Sequence, residues 1–152
     1  MTKTRIALIQ MKMSSEQKKN MNTAIKKIKE ASKKKAKIIC LPELFLTNYF
    51  CQQEKHSNFD LAEKIPGKSS NILCSLAKDL KVIIIGSIFE KKTSGIYHNT
   101  CIVISEKGKL IGKYRKMHIP DDPQFYEKFY FTPGDLGFKS FKTNQGNVGT
   151  LV

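Results

Sequence analysis

The chain has 152 residues, with 27 lysines and arginines against 13 aspartates and glutamates, a formal net charge of +14. That length suits one domain, and 40% hydrophobic with 26% charged residues supply a core and exclude wholesale disorder. No apolar run approaches the roughly 18 to 20 residues of a membrane span, and the start, MTKTRIALIQMKM, lacks the apolar core and cleavage site of a secretion signal; a soluble cytoplasmic protein is expected.

Thr4 to Met11 reads as a short apolar strand, and Ser14 followed three residues later by Gln17 is a capping-box signature for a helix. Met21, Ala24, Ile25, Ile28 and Ala31 recur at helical spacing and predict one apolar stripe on a lysine-rich helix reaching about Lys35. Lys37 to Leu41 is a second strand, ended by Pro42, and a polar and aromatic segment follows to about Ile65. Pro66-Gly67 is a break, after which Ile72, Leu73, Leu76, Ala77 and Leu80 mark a second amphipathic helix. Val82 to Phe89 is apolar enough for a strand buried on both faces. Strand and helix alternating in this way is the order of an α/β sheet with right-handed crossovers.

The second half changes character. Ile96 to Ser105 and Lys109 to Lys116 are strands about the turn Glu106-Lys107-Gly108, which predicts an antiparallel or mixed portion. His118 to Gly137 has no periodic element, but its aromatic residues argue for an ordered, functional loop. Val148 to Val152 reads as one more strand. There is no internal repeat or linker.

The charge is a weak guide to partners. Among the basic residues only Arg5 and Arg115 are arginine, whereas bidentate recognition of guanine or phosphate favours arginine. The densest run (Lys26, Lys27, Lys29, Lys33, Lys34, Lys35, Lys37) lies at the first helix, with no aromatic between Arg5 and Phe45. A solvated lysine-rich face is preferred over a polyanion surface, and no nucleic-acid or membrane partner is expected. Cys40, Cys51, Cys74 and Cys101 form no C-x-x-C pair and no zinc-ligand spacing, so reduced thiols are expected, with Cys40 and Cys101 inert in apolar strands.

Three positions could carry chemistry. Glu43 follows a strand and Pro42, at the strand end where α/β proteins gather ligands, although strand-end glutamates are commonly surface residues. Lys116, in KYRKMHIP, ends a strand before the long loop; among so many lysines only its position is informative. Glu127 lies between Tyr126 and Phe129, open either to a raised pKa among rings or to pairing with a lysine. No phosphate loop, G-x-S-x-G elbow or H-E-x-x-H motif is present. His56, His98 and His118 are isolated.

The strings LPELFLTNYFCQ around Glu43, KYRKMHIPDDPQFYEKFYFTPGD around Lys116 and Glu127, and RIALIQMKM closely resemble the carbon-nitrogen hydrolase (nitrilase) superfamily, over essentially Arg5 to Val152. Within it they look most like the branch that hydrolyses N-carbamoylputrescine. Thr47 and Asn48 interrupt the first motif. The resemblance implies an α-β-β-α sandwich, here its N-terminal half as one domain over 1–152, and a Glu-Lys-Cys mechanism needing no metal or organic cofactor. It also implies a small-molecule substrate and a homo-oligomer. By position in the motifs, Glu43 would be the general base, Lys116 the oxyanion-stabilising cation, and Glu127 the second glutamate that orients Lys116 or the substrate.

The family's nucleophilic cysteine follows a strand that here would be Gly149-Thr150-Leu151-Val152, so the chain is expected to stop at or beside the nucleophile and to be inactive alone. For a cationic carbamoyl amine, Asp121 or Asp122 is the candidate carboxylate and Tyr126, Phe129 and Tyr130 the candidate walls. A turn-forming role beside Pro120 and Pro123 is the alternative for the two aspartates. Other N-carbamoyl or linear amide substrates, or a basic fragment that binds polyanions or other subunits, are the alternative functions.

Overall fold

The structure is a computed structural model that describes residues 3–152. Five strands form one sheet in chain order: β1 (Ile6–Leu8), β2 (Ile38–Cys40), β3 (Ile83–Thr93), β4 (Ile96–Ile104) and β5 (Leu110–Arg115). β1, β2 and β3 are parallel, joined through α1 (Gln17–Lys33) and α2 (Lys68–Leu80), and β4 and β5 are antiparallel additions. The predicted α/β order with a mixed second half is therefore the one found. Two antiparallel steps return β5 to the direction of β2, so the carboxyl ends of both strands lie along the same edge of the sheet.

The predicted stripe of α1 is the buried one: Met21, Ala24, Ile28 and Ala31 join Leu73, Leu76 and Ala77 of α2 over Ile84, Ile88, Ile102 and Ile104 on one sheet face. β3 runs four residues beyond the expected Phe89, turns at Gly95, and is buried from Ile83 to Glu90. The other face carries Ile38, Ile83, Ile85, Cys101, Val103 and Tyr114, against which Phe141 and Val148 pack.

Ser14 is not the helix cap. α1 begins after Glu16, and Asn20 is folded back so that its Oδ1 accepts from the Ser14 backbone N–H at 2.7 Å while its Nδ2 donates to the carbonyls of Ser14 and Leu46. The side chain that ties this entry is thus inside the helix. The strand expected over Val148 to Val152 is also displaced: Ser140–Thr143 (β6) and Gly146–Gly149 (β7) form a two-stranded hairpin, and 150–152 have no regular structure. The long segment 118–137 contains a two-residue strand pair, Asp121–Asp122 with Phe125–Tyr126, and one helical turn, Glu127–Tyr130 (α3). Its Tyr130 and Phe131 pack with Leu44, Cys51 and Phe89 in a third, aromatic core.

The predicted turn at Glu106 to Gly108 is present, with Gly108 in the left-handed region at φ 73°. Between Val103 and Ile104 the pairing shifts register: Val103 lies opposite Gly112 and Ile104 opposite Leu110, leaving Ile111 as the extra residue of a β-bulge.

On the helix-covered side of the sheet, Glu90 is 2% and Arg115 5% exposed. Arg115 Nε and Nη2 each donate to Glu90 at 2.8 Å, Lys113 Nζ donates at 2.8 Å and Thr100 Oγ1 at 2.5 Å, while Arg115 Nη1 reaches Asp135 at 2.7 Å. Burial pushes the Glu90 carboxyl up, but these donors outweigh it and bring its pKa down to about 2. A carboxylate depressed in the folded state adds stability above its unfolded value of about 4.3, and that stability disappears as pH falls toward the folded value. Glu90→Gln should cost on the order of 3 kcal/mol at pH 7, because it leaves a buried guanidinium short of a partner. Urea unfolding at pH 7 and pH 3 should show a smaller acid-dependent loss for the variant than for the unaltered chain.

Candidate functional site

Glu43 stands three residues beyond β2 and Lys116 one beyond β5, so the common direction of the two strands delivers both to one end of the sheet. The ladder holds Lys116 in place: its N–H donates to Asn99 O at 2.9 Å, and its carbonyl accepts from Gly134 N–H at 2.8 Å. α3 supplies Glu127 as its first residue, with the side chain 3% exposed.

Lys116 Nζ lies 3.3 Å from Glu43 Oε1, 3.1 Å from Glu127 Oε1 and 2.9 Å from Glu127 Oε2. The last contact is ionic only, since Glu127 Oε2 accepts no aligned hydrogen bond among the described residues. Tyr49 Oη donates to Glu127 Oε1 at 2.9 Å, and Asn99 Nδ2 donates to Glu43 Oε1 at 2.6 Å. Burial pulls the Lys116 ammonium down, but hydrogen bonding and charge from Glu127 and Glu43 outweigh it, so the net shift is upward. The Tyr49 phenol is pushed up by burial and then by Glu127. Lys116 is therefore a fixed cation, and the two carboxylates beside it differ in access. Glu127 is enclosed, whereas the Glu43 side chain is 44% exposed and borders a cavity of about 370 Å³. Cys40, Ser87, Cys101 and Thr150 are among the other residues lining it.

An enclosed carboxylate holding a lysine, and an open carboxylate at a cavity, can supply electrostatic stabilisation and proton transfer respectively. A covalent step needs an activated nucleophile as well. None of the four thiols is activated: Cys51 is fully buried and shifted well upward by burial and Glu127, Cys101 is raised to about 11 by burial, and burial raises Cys40 and Cys74. Cys101 is buried as expected, while Cys40 is half-buried at the cavity. Among the described residues no three histidine, cysteine or acidic side chains are grouped to hold a metal ion.

The remaining candidates are dispersed. Asp121 and Asp122 are exposed on their short strand, with Asp121 3.9 Å from Lys128 Nζ, and neither bonds to Glu43, Lys116 or Glu127. Tyr126 is half-buried before α3, and Phe129 packs edge-on to Tyr130 and near His56 and Phe59. The Tyr130 hydroxyl is committed to the 53–58 segment: it donates to Gln53 O and accepts from Lys55 N–H at 2.9 Å and Asn58 Nδ2 at 3.0 Å.

Tyr49 and Asn99 were not anticipated. The available signal was Asn99 within the strand predicted from Ile96 to Ser105, where a buried amide must find partners.

The carbon-nitrogen hydrolase family model matches residues 5–152. An N-carbamoylputrescine amidase from Oryza sativa subsp. japonica is 41% identical over 99% of this chain and 50% of its own length. A citrullinase from Francisella tularensis is 35% identical over the whole of this chain and 53% of its own. The crystal structure of a carbon-nitrogen hydrolase from Helicobacter pylori superposes with a TM-score of 0.90 at 42% identity, covering 95% of this chain and 50% of that one. The chain thus spans about half the length of the curated relatives it matches. With the family pattern running through both strand ends that present Glu43 and Lys116, this chain belongs to the carbon-nitrogen hydrolases of the nitrilase superfamily.

Proposed function

We propose that this chain forms the base and cation side of an amidohydrolase site that cleaves the terminal carbamoyl C–N bond of N-carbamoylputrescine. The observation that carries this reading is Lys116 held between an enclosed and an open carboxylate, with the open one, Glu43, at a cavity. Similarity to the rice N-carbamoylputrescine amidase supports the substrate.

In this reading a thiolate from outside these four cysteines attacks the carbamoyl carbon after Glu43 has taken its proton. Lys116 stabilises the oxyanion that develops, while Glu127 holds Lys116 in position. Glu43 returns the proton to the departing nitrogen, ammonia leaves, and a carbamoyl thioester remains. Glu43 then deprotonates water for attack on that thioester; the thiol is regenerated, and the released carbamic acid breaks down to carbon dioxide and putrescine. One water is consumed overall, and no electrons change hands.

The citrullinase similarity supports a second reading, in which the same steps act on another N-carbamoyl compound. The distal amine of carbamoylputrescine would be met by Asp121 or Asp122, which stand exposed within the same aromatic segment as Tyr126, Phe129 and Tyr130.

In full-length protein, Glu43→Gln and Lys116→Ala should each lower kcat for ammonia release from N-carbamoylputrescine by roughly 10²-fold or more. Undiminished turnover in either would overturn the roles assigned. Lys116→Arg should rescue little, since a planar guanidinium cannot occupy the point position between two carboxylates. Asp121→Asn and Asp122→Asn should be compared on carbamoylputrescine and on an uncharged carbamoyl alkylamine. Loss of preference for the charged substrate is expected in one of them, and unchanged discrimination in both would remove the aspartates from the site.

A further inference from the structure

We infer that Asn99 and Ser87 are positioning residues that fix which oxygen of Glu43 is free to move a proton. This rests on Glu43 being the base.

The two side chains close a small ring with the Glu43-Leu44 dipeptide. The Leu44 N–H donates to Ser87 Oγ at 3.1 Å, the Ser87 hydroxyl donates to Asn99 Oδ1 at 2.7 Å, and Asn99 Nδ2 donates to Glu43 Oε1 at 2.6 Å. The ring starts and ends on consecutive residues, so one buried pair holds both the backbone after Glu43 and its carboxylate. Asn99 is fully buried and Ser87 is 3% exposed. Pairing of β3 with β4 sets Ser87 opposite Cys101 and Phe89 opposite Asn99, which makes Ser87 and Asn99 diagonal neighbours across the two longest strands.

The direction of each bond is determined. The Glu43 carboxylate can only accept, so the amide nitrogen of Asn99 faces it; the reverse orientation would set an oxygen against a carboxylate. Asn99 Oδ1 then faces Ser87, whose single hydroxyl proton goes to it while a serine lone pair accepts from Leu44 N–H. The backbone here also needs holding. Leu44 has φ 47°, in the left-handed region that β-carbon crowding disfavours, yet its side chain is 3% exposed in the aromatic core. The Ser87 bond and that burial together keep the turn which aims Glu43 away from the strand.

Glu43 Oε1 receives both Asn99 Nδ2 and Lys116 Nζ, and no hydrogen bond reaches Oε2 among the described residues. Oε2 is therefore the atom left to accept and return the proton, and without Asn99 the longer Lys116 contact alone would have to choose between the two oxygens.

The test is a pair of double-mutant cycles in full-length protein. Asn99→Ala should lower kcat roughly 10- to 100-fold with KM within about twofold, and Ser87→Ala should lower it several-fold, since each removes orientation at the reacting atom; Ser87 borders the cavity, but its hydroxyl is committed to Leu44 and Asn99. In a Glu43→Gln background the same changes should cost less than about twofold further, because residues that act only through Glu43 have nothing left to orient. Equal losses on both backgrounds, or a raised KM at unchanged kcat, would overturn the inference. Should Asn99→Ala not fold, the Ser87→Ala cycle decides by the same criteria. Undiminished kcat in Glu43→Gln alone would instead remove Glu43 as the base, a failure of the functional reading that this measurement separates from failure of the strap.

Discussion

The ammonium of Lys116 organises this end of the molecule. It is 14% exposed, with one carboxylate enclosed behind it and another open in front. An enclosed carboxylate without a cation would carry the full cost of desolvation, so Glu127 and Lys116 can be buried only together. The pairing constrains three separate stretches of chain. β5 must end where it does, α3 must begin at Glu127, and the turn after β2 must stop within reach of Nζ. Tyr49 adds a fourth by occupying the other side of Glu127 Oε1. A cluster of two carboxylates and one ammonium also leaves one negative charge over, on the side facing the cavity, where proton transfer is useful.

A second charged cluster lies one residue away and serves a different purpose. Arg115 and Lys113 point to the helix-covered side of the sheet and close on Glu90, whereas Lys116 points to the other side. Glu90 has donors for both oxygens and no opening to solvent, and His98 beside it keeps Nδ1 at 2.9 Å from Thr132 O. Burial pulls that imidazole toward its neutral form. Such a saturated cluster specifies how β3, β4 and β5 lie against the 132–135 segment, and it has no free valence for chemistry.

Much of this was legible in the residues because local and global signals agree. Ile83 to Glu90 is buried along its whole length, as its continuous apolar run implied, and the helices bury the stripes their spacing marked. That Glu43, Lys116 and Glu127 come together was legible through motif strings rather than periodicity, since nothing in spacing distinguishes Lys116 from the other lysines. What stayed hidden depends on pairs distant in sequence. Asn99 and Glu43 are 56 residues apart and meet through the register of β2, β3 and β4, while Tyr49 and Glu127 are 78 apart and meet where α3 packs on the aromatic segment after β2. Ser14 misled because a capping pattern is local, while Asn20, bound also to the carbonyl of Leu46, answers to tertiary structure. The C-terminal strand was misplaced because the turn after Thr143 creates a hairpin of its own, which draws residues 146–149 into pairing and leaves 150–152 outside it.

The bulge at Ile111 acquires its importance from the alternation of side chains downstream of it. Arg115 and Lys116 are adjacent, so they face opposite sides of the sheet, and a one-residue change of register exchanges every position beyond it. The bulge keeps the two ends of β5 in their own phases: Leu110 shares a face with Ile104 and Gly112 shares the other with Val103. Removing the extra residue would join Leu110 to Gly112 in a regular ladder and leave Arg115 opposite Thr100, so Arg115 would keep Glu90 and Lys116 would keep Glu43 and Glu127. The bulge therefore holds one residue of slack, and closing it lets β5 absorb a single deletion without exchanging the structural ion pair and the lysine between the two carboxylates.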